Sequence, residues 1–346
     1  MNTQQEFWYA GIDLHKKYAY VTIMDKLGYI QHQGRFNNQD KKLVPALAAS
    51  QIPIQAIIES TYGWYWLGEA LEHAKIPYVL AHPKKVHDVV GRKKTDKEDS
   101  KALADLYRTN LLPTAYVPTP EERSLRELLR FRFRLVEQKS SCQRRLRDIL
   151  AKHNLECEYT DILGKSAKEW LKGLNLPFPY NAEIITLLNL TEHLDNSIAE
   201  YTLKVKEQST DNKTAKLLAT IPGIGEILSL LLAVEIGNIT RFRNDRALSS
   251  YAGLVPSVSS SGDKTHLGET SSKSNPYIRW ALAEAITHVI KKDPAYKKFY
   301  DRLVERKGKP KARVAVMNKL ARAIYFMLNK QVPFKITELP DDKTET

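Results

Sequence analysis

Trp8-Tyr-Ala-Gly-Ile-Asp-Leu14 is an apolar run of β-strand type with one acid near its end, and His15-Lys-Lys17 follows it directly. A second run of the same type, Tyr20-Val-Thr-Ile-Met24, begins within the reach of a hairpin. Alternation and β-branched content predict that both runs are strands. Asp13 would then close a buried strand, where a carboxylate is costly unless it meets a cation. Taken alone, Asp13 is more simply explained as a strand-end turn residue.

The elements that follow predict an α/β domain. Its predicted parts are a strand over 29–35, a helix over 40–49, a strand over 54–58, a helix over 64–74 and a strand over 78–80. Three antiparallel strands followed by alternating helices and strands are the order of the ribonuclease H fold, a mixed sheet with helices on both faces. Sites in open α/β sheets gather at the carboxyl ends of strands. Asp13 and Glu59 both follow such an end.

Two further acids open the next predicted helix. Thr95 is a good N-cap, which places Asp96 and Asp99 in the first turn and on one helix face. The helix dipole alone favours acids there, which is the simpler explanation. Beside Asp13 and Glu59, however, these two carboxylates would repel strongly without a divalent cation. Oxygen-only ligands favour Mg²⁺ or Mn²⁺ over zinc.

Composition narrows the class of protein. The chain has 346 residues, 42% hydrophobic and 27% charged, which is typical of a globular protein long enough for two domains. Its formal charge of +13 predicts a polyanionic partner. Cys142 and Cys157 form neither a CxxC motif nor a disulfide framework, which fits a reducing cytoplasm. The amino terminus predicts no secretory signal, and the longest apolar run, 227–236, is too short to span a membrane.

Basic residues cluster in two places. A proline-marked linker over 113–120 precedes a predicted helix over about 121–153 that carries many arginines, a residue type suited to phosphate. The alternative is that this helix is an ordinary solvated surface helix and does not bind nucleic acid. The stretch from 291 to 330 carries 13 lysines and arginines against three acids, with aromatic residues interleaved. The side chains predicted to contact nucleic acid in and beside these regions are Lys93, Lys94, Arg126, Arg130, Arg134, Lys273, Arg279, Lys311 and Arg313.

Ile221-Pro-Gly-Ile-Gly225, between two apolar helical segments, predicts a helix-hairpin-helix. Its backbone N–H groups at Gly223 and Gly225 could face a DNA phosphate, although the motif sometimes serves only to pack helices. The amphipathic segment 181–208 predicts a helical linker, and the Ser- and Gly-rich segment 257–275 predicts a flexible loop.

Six motifs in order resemble one family. They are Gly11-Ile-Asp-Leu-His-Lys16, Ile58-Glu-Ser-Thr-Tyr-Gly63, Lys94-Thr-Asp-Lys-Glu-Asp99, Ile221-Pro-Gly-Ile-Gly225, Tyr251-Ala-Gly-Leu-Val-Pro256 and Tyr277-Ile-Arg-Trp-Ala-Leu282. Together they resemble the DEDD-type insertion-sequence transposases of bacteria, which are bridge-RNA-guided recombinases related to a pilin-gene invertase. The resemblance spans roughly residues 7 to 330.

The resemblance implies a metal-dependent serine recombinase with a RuvC-like domain. The DEDD set would be Asp13, Glu59, Asp96 and Asp99, which hold Mg²⁺ or Mn²⁺. Counting back without gaps from the last motif places the family's nucleophilic serine at Ser271. A shift of one residue would select Ser272, because the family's glycine after the serine and lysine is replaced by Ser274. The implied partners are DNA, a noncoding guide RNA and further copies of the chain in a dimer or tetramer.

The predicted organisation has four parts. These are a RuvC-like metal-binding domain over 1–112, an Arg-rich and coiled-coil linker over 113–210, a transposase domain over 211–334 and a disordered tail over 335–346. Two other functions fit the same residues. One is a RuvC-like metal-dependent nuclease without a covalent intermediate, and the other is an inactive nucleic-acid-binding derivative of a transposase.

Overall fold

The structure is a computed structural model that describes residues 7–61, 63–83, 85–86, 95–208, 212–261, 264–270 and 274–337. The chain divides into two compact units, Met1–Val117 and Pro118–Thr346. No helix among the described residues has both the length and the apolar character needed to cross a bilayer.

The first unit is built on a six-stranded mixed sheet in the order β3-β2-β1-β4-β5-β6. Its strands are β1 (Trp8–Leu14), β2 (Tyr18–Met24), β3 (Ile30–Asn37), β4 (Ile54–Glu59), β5 (Tyr78–Ala81) and β6 (Thr114–Ala115). The first three pair antiparallel, β4 and β5 run parallel to β1, and β6 is antiparallel to β5. This arrangement confirms the predicted ribonuclease H-like, RuvC-like sheet.

Helices cover both faces of this sheet. They are α1 (Leu43–Ala48), α2 (Trp64–His73) and α3 (Asp96–Arg108). Ile12 and Ile58 point to the face that packs on Leu67 of α2, whereas Ile57 points to the other face and packs on Leu103 of α3. Alternate residues of a strand face opposite sides of a sheet, so β1 and β4 each serve two cores. The first helix begins later than its predicted start at residue 40, because Pro45 lies within its first turn.

The second unit is mainly helical, which confirms the predicted second half of the fold class. Its helices are α4 (Pro120–Lys152), α5 (Lys165–Gly173), α6 (Tyr180–Gln208), α7 (Lys213–Leu218), α8 (Glu226–Ile236), α9 (Asp245–Tyr251), α10 (Pro276–Lys292), α11 (Pro294–Lys307) and α12 (Lys309–Lys330). Thr119 and Glu122 form a capping box that starts α4. The long helices α4 and α6 share one apolar core, and α7 to α12 surround a second one.

Two predicted loops contain regular structure. The segment 257–275 was predicted as a flexible loop, but it includes an antiparallel hairpin of β7 (Pro256–Ser261) and β8 (Lys264–Thr270). The hairpin was not predicted because this segment is rich in serine, which is typical of loops. Val258 of β7 is the register partner of Leu267 of β8. The proline-marked linker over 113–120 likewise contributes strand β6 to the edge of the sheet. In both places backbone pairing overrides a composition typical of loops.

Candidate metal centre and nucleic-acid interface

Two of the predicted acids end neighbouring parallel strands. Ile12 of β1 and Ile58 of β4 are register partners, and each is followed by an acid, Asp13 and Glu59 respectively. The carboxyl ends of parallel strands meet at one edge of a sheet, so the pairing puts both acids at that edge. Asp13 is only 8% exposed, which makes it the buried member of the site.

His15 brings Asp13 and Asp96 together. The Nε2 atom of His15 lies 3.0 Å from Oδ2 of Asp13 and 3.3 Å from Oδ1 of Asp96. One ligand atom from each of these three residues lies within 4.8 Å of the others. Asp13 and Asp96 are far apart in sequence, so their proximity depends on how α3 is placed against the sheet. The sequence prediction did not include His15, although it follows Asp13 by two positions.

Helix α3 is fixed against the sheet by close packing and hydrogen bonds. Thr95 caps the helix by accepting a hydrogen bond from the backbone N–H of Glu98. Thr22 of β2 and Ser100 of α3 are hydrogen-bonded in the interior at 2.7 Å. A Cβ atom added at Gly11 would lie 2.0 Å from the Ser100 carbonyl oxygen, so β1 and α3 approach to a distance that only glycine permits. The first turn of α3 is thereby held over the end of β1.

The carboxylates repel one another within this site. Burial raises the pKa of Asp13 above its usual 3.8, the ion pair and hydrogen bond with His15 oppose this, and the negative charges of Asp99 and Asp96 raise it further. Asp99 is therefore close enough to act on Asp13 electrostatically. Tyr18 donates a hydrogen bond of 2.8 Å to Oδ2 of Asp96, which leaves Oδ1 facing His15.

The donor set fits a divalent cation. Carboxylate oxygens from a strand end and a helix first turn are hard ligands of the kind Mg²⁺ and Mn²⁺ prefer. Burial raises the pKa of Asp13, the negative charges of Asp99 and Asp96 add to this, and a bound cation would favour the ionised carboxylate against both effects. Asp13 and Asp96 would hold the ion, and the imidazole of His15 is a nitrogen donor that Mn²⁺ accepts more readily than Mg²⁺ does.

Five of the predicted site residues lie outside the described part of the chain. These are Lys93, Lys94, Ser271, Ser272 and Lys273. The chain is described again from Ser274, and Asn275 then caps α10 by accepting hydrogen bonds from the backbone N–H groups of Tyr277 and Ile278.

The helix-hairpin-helix turn joins α7 to α8. Gly223 has a φ of +85°, and a Cβ atom there would lie 2.6 Å from Cβ of His288 on α10. Gly225 is the N-cap of α8 and has open space around it. Ile221 and Ile224 are buried on either side of Gly223, so the turn packs against α10 while both glycines stay exposed.

Two predicted phosphate-binding arginines have protein partners instead. Glu235 is fully buried, and Arg130 donates to both of its carboxylate oxygens, at 2.6 and 2.9 Å. Arg126 is buried and donates to the Val234 carbonyl at 2.8 Å. These guanidinium groups are committed to the interior of the second unit, because a buried carboxylate needs a paired cation. That they also bind nucleic acid stays a prediction.

The remaining predicted basic residues of the second unit are accessible. Arg134, Lys311 and Arg313 are exposed, and Arg279 is half-buried in the first turn of α10. Arg313 donates a long hydrogen bond of 3.4 Å to the Ala283 carbonyl, which leaves most of its fork in solvent.

Comparison with known proteins identifies the family. The profile described as "Transposase IS116/IS110/IS902 family" matches residues 215–301, and a DEDD-type IS110 transposase profile matches residues 10–154. The pilin gene-inverting protein of Moraxella bovis is 30% identical over 299 residues, which cover 81% of this chain and 82% of that protein. This chain belongs to the IS116/IS110/IS902 transposase family. The transposase of insertion sequence element IS1111A from Coxiella burnetii is 26% identical over 339 residues, covering 94% of this chain and 90% of the relative.

The transposase is thus an enzyme that cuts and rejoins DNA, as its motifs predicted. The candidate metal centre also contains contacts that the motifs did not indicate. His15 and Tyr18 both touch Asp96, and neither was singled out, because that contact exists only once β2 and α3 are packed together. The position of His15 within the first motif was the one local signal.

Proposed function

We propose that this transposase recombines DNA through a serine nucleophile that works with a metal-binding DEDD cluster, under the direction of a noncoding guide RNA. The observation that supports this most strongly is the convergence of Asp13 and Asp96 at the edge of the sheet, with Asp99 near enough to raise the pKa of Asp13. Glu59 completes the proposed cluster from the neighbouring strand.

The proposed chemistry is a transfer of a phosphodiester to serine. Oγ of Ser271 attacks the phosphorus, an Oγ–P bond forms, and the bond from phosphorus to the 3′ oxygen breaks. The serine proton passes to a neighbouring base, and the leaving oxygen takes up a proton to become a free 3′-OH. A bound Mg²⁺ or Mn²⁺ would supply stabilisation of the negative charge on the phosphoryl oxygens. Rejoining reverses these steps on a different 3′-OH.

The proposed partners follow from charge and from the relatives. The excess of positive charge suits nucleic acid, and exposed Arg134, Lys311 and Arg313 are proposed contacts to its backbone. A guide RNA would select the DNA sites by base pairing. The acidic cluster and the serine would come from different copies in a dimer or tetramer. Inversion of a DNA segment, as the name of the Moraxella relative states for that protein, is one outcome of such recombination.

The test is a two-site plasmid assay with purified protein, RNA transcribed from the noncoding DNA that flanks the gene, and Mg²⁺. Asp13→Asn, Ser271→Ala and Ser272→Ala are compared with Ser259→Ala, a control serine on β7. We expect the first two variants to lose recombination by at least 100-fold, and the control to retain it. Protein-linked 5′ ends should persist after denaturation in the wild type. Full activity of Ser271→Ala with loss in Ser272→Ala would move the nucleophile to Ser272.

A metal-dependent nuclease without a covalent intermediate is the second candidate. One observation favours it: the contacts that join Asp13, His15 and Asp96 all lie within the first unit, so the cluster is assembled without the serine segment. This function predicts broken ends that are free of protein after denaturation. It also predicts that both serine variants keep their cleavage activity.

A further inference from the structure

Arg35 lies beside the acidic cluster on the ring of Tyr18. The guanidinium carbon of Arg35 is 3.5 Å from the Tyr18 ring centroid, and the ring of His15 is 4.7 Å from the same centroid at an interplanar angle of 31°. The hydroxyl of Tyr18 donates to Asp96. One aromatic ring therefore joins a cation, an imidazole and a carboxylate of the proposed metal centre.

Strand pairing places this arginine. Tyr20 of β2 is the register partner of Asp13 on one side and of Arg35 on the other. Directly paired residues of antiparallel strands share a face, so all three lie on the face that α3 covers. Tyr18 is on the same face and diagonal to Arg35, within reach of a long side chain. The edge strand β3 thus carries a cation to the border of the acidic site.

The donor groups of Arg35 remain available. The side chain is exposed, and within the described ranges no carboxylate forms an ion pair with it. A guanidinium that lies flat on a ring keeps its N–H groups pointing outward in the plane, which is the geometry that binds a phosphate by two hydrogen bonds. By contrast, the guanidinium of Arg130 is taken up by Glu235.

We propose that Arg35 binds a backbone phosphate of the DNA strand that enters the acidic site, and that Tyr18 is a positioning residue that links this contact to the orientation of Asp96. The negative charges of the cluster repel a phosphodiester. An adjacent cation that the acids do not neutralise opposes this repulsion and can therefore retain the strand. The inference rests on the proposed function in taking the acidic cluster as the site of phosphoryl transfer.

The two roles are separated by different substitutions. Arg35→Gln removes the positive charge and the planar set of guanidinium N–H donors. It should weaken binding of a fluorescent single-stranded DNA by about tenfold. It should also lower the slope of log affinity against log salt by about 1. Tyr18→Phe keeps the ring under Arg35 but removes the hydroxyl. It should weaken Mn²⁺ binding several-fold in calorimetry and leave metal-free DNA binding close to that of the wild type.

The matched control is Lys75→Gln. Lys75 is an exposed cation of the same unit and precedes β5. It therefore lies near the amino-terminal end of a parallel strand, whereas the acids lie at the carboxyl ends. Each variant is checked for a wild-type melting temperature, and the full-length protein is used throughout. Arg35→Lys serves as a second variant, since it keeps the charge without the planar fork and should recover only part of the affinity.

The binding readouts make the proposal independent of recombination activity. Equal DNA affinity and salt slope in Arg35→Gln and Lys75→Gln would overturn the role of Arg35. A loss confined to a single-stranded RNA of the same sequence would overturn the assignment to DNA. Unchanged Mn²⁺ affinity in Tyr18→Phe would overturn its positioning role. If Asp13→Asn instead kept full recombination, the proposed function would fail while the Arg35 result could still stand.

Discussion

At the scale of single residues, Gly11 sets how closely β1 and α3 approach beside the candidate metal centre. We expect Gly11→Ala to destabilise the protein by about 1–3 kcal/mol, because its Cβ would meet the backbone of Ser100 and Ala104 on α3. The helix would have to move away from β1, and Asp96 would move with it. The measurement is urea unfolding together with DNA recombination.

Gly173→Ala is the control for this change. Gly173 ends α5, and no atom lies within 4 Å of the position of an added Cβ. The variant should be as stable as the wild type or slightly more so, since alanine favours a helix over glycine by about 0.5–1 kcal/mol. Equal stability of Gly11→Ala and Gly173→Ala would contradict the close approach of β1 and α3.

Asp13 also makes the stability of the metal-free protein depend on pH. Its pKa is raised from 3.8 in the folded protein, mainly by burial. The stability that this group contributes is therefore complete at pH values below the pKa of Asp13 in the unfolded protein. It is lost as the pH rises through the pKa of Asp13 in the folded protein. Asp13→Asn should remove that loss and raise the melting temperature at neutral pH in EDTA. Identical pH profiles of the variant and the wild type, measured by thermal unfolding, would refute this explanation.

At the scale of elements, a buried ion pair ties α4 to α8. Arg130 of α4 pairs with Glu235 of α8, and Asn275 at the start of α10 donates to the same carboxylate at 2.7 Å. Glu235→Gln should cost about 3–5 kcal/mol in the free energy of unfolding, because it leaves Arg130 without a full counter-charge in the interior. Chemical denaturation measures this change.

Glu226→Gln provides the comparison on the same helix. Glu226 pairs with Lys206 at 2.9 Å, but both side chains are about half exposed. An ion pair in solvent contributes about 0–1 kcal/mol, so this substitution should have little effect. If the two variants lost the same amount of stability, the buried network would not be what joins these three helices.

Sequence patterns predicted the elements whose signals are local. Alternation and β-branched residues were enough for β1, β2 and β4, and Thr95 correctly marked the start of α3. The β7–β8 hairpin was missed because its Ser- and Gly-rich composition is also that of a loop. In strands, cross-strand pairing decides the conformation, and a single segment does not display it.

The candidate site was predictable to the extent that each acid ends an element. The contacts of Asp96 with His15 and Tyr18 were not, because they follow from the packing of α3 on β1 and β2. Arg126 and Arg130 were predicted to bind phosphate for a related reason. Their partners, the Val234 carbonyl and the Glu235 carboxylate respectively, lie more than a hundred positions further along the chain. The sequence alone does not show whether a positively charged side chain pairs with a phosphate of nucleic acid or with a carboxylate of the protein.

At the scale of the whole molecule, the account depends on acids that are distant in sequence binding one divalent cation. The most direct measurement is an anomalous-difference map from crystals of the full chain grown with Mn²⁺. We predict a peak ligated by carboxylate oxygens of Asp13 and Asp96, with Glu59 or Asp99 in its coordination shell, and no such peak in Asp13→Asn. The central claim would be contradicted by a map without metal at this edge of the sheet and with His15 still bridging Asp13 and Asp96.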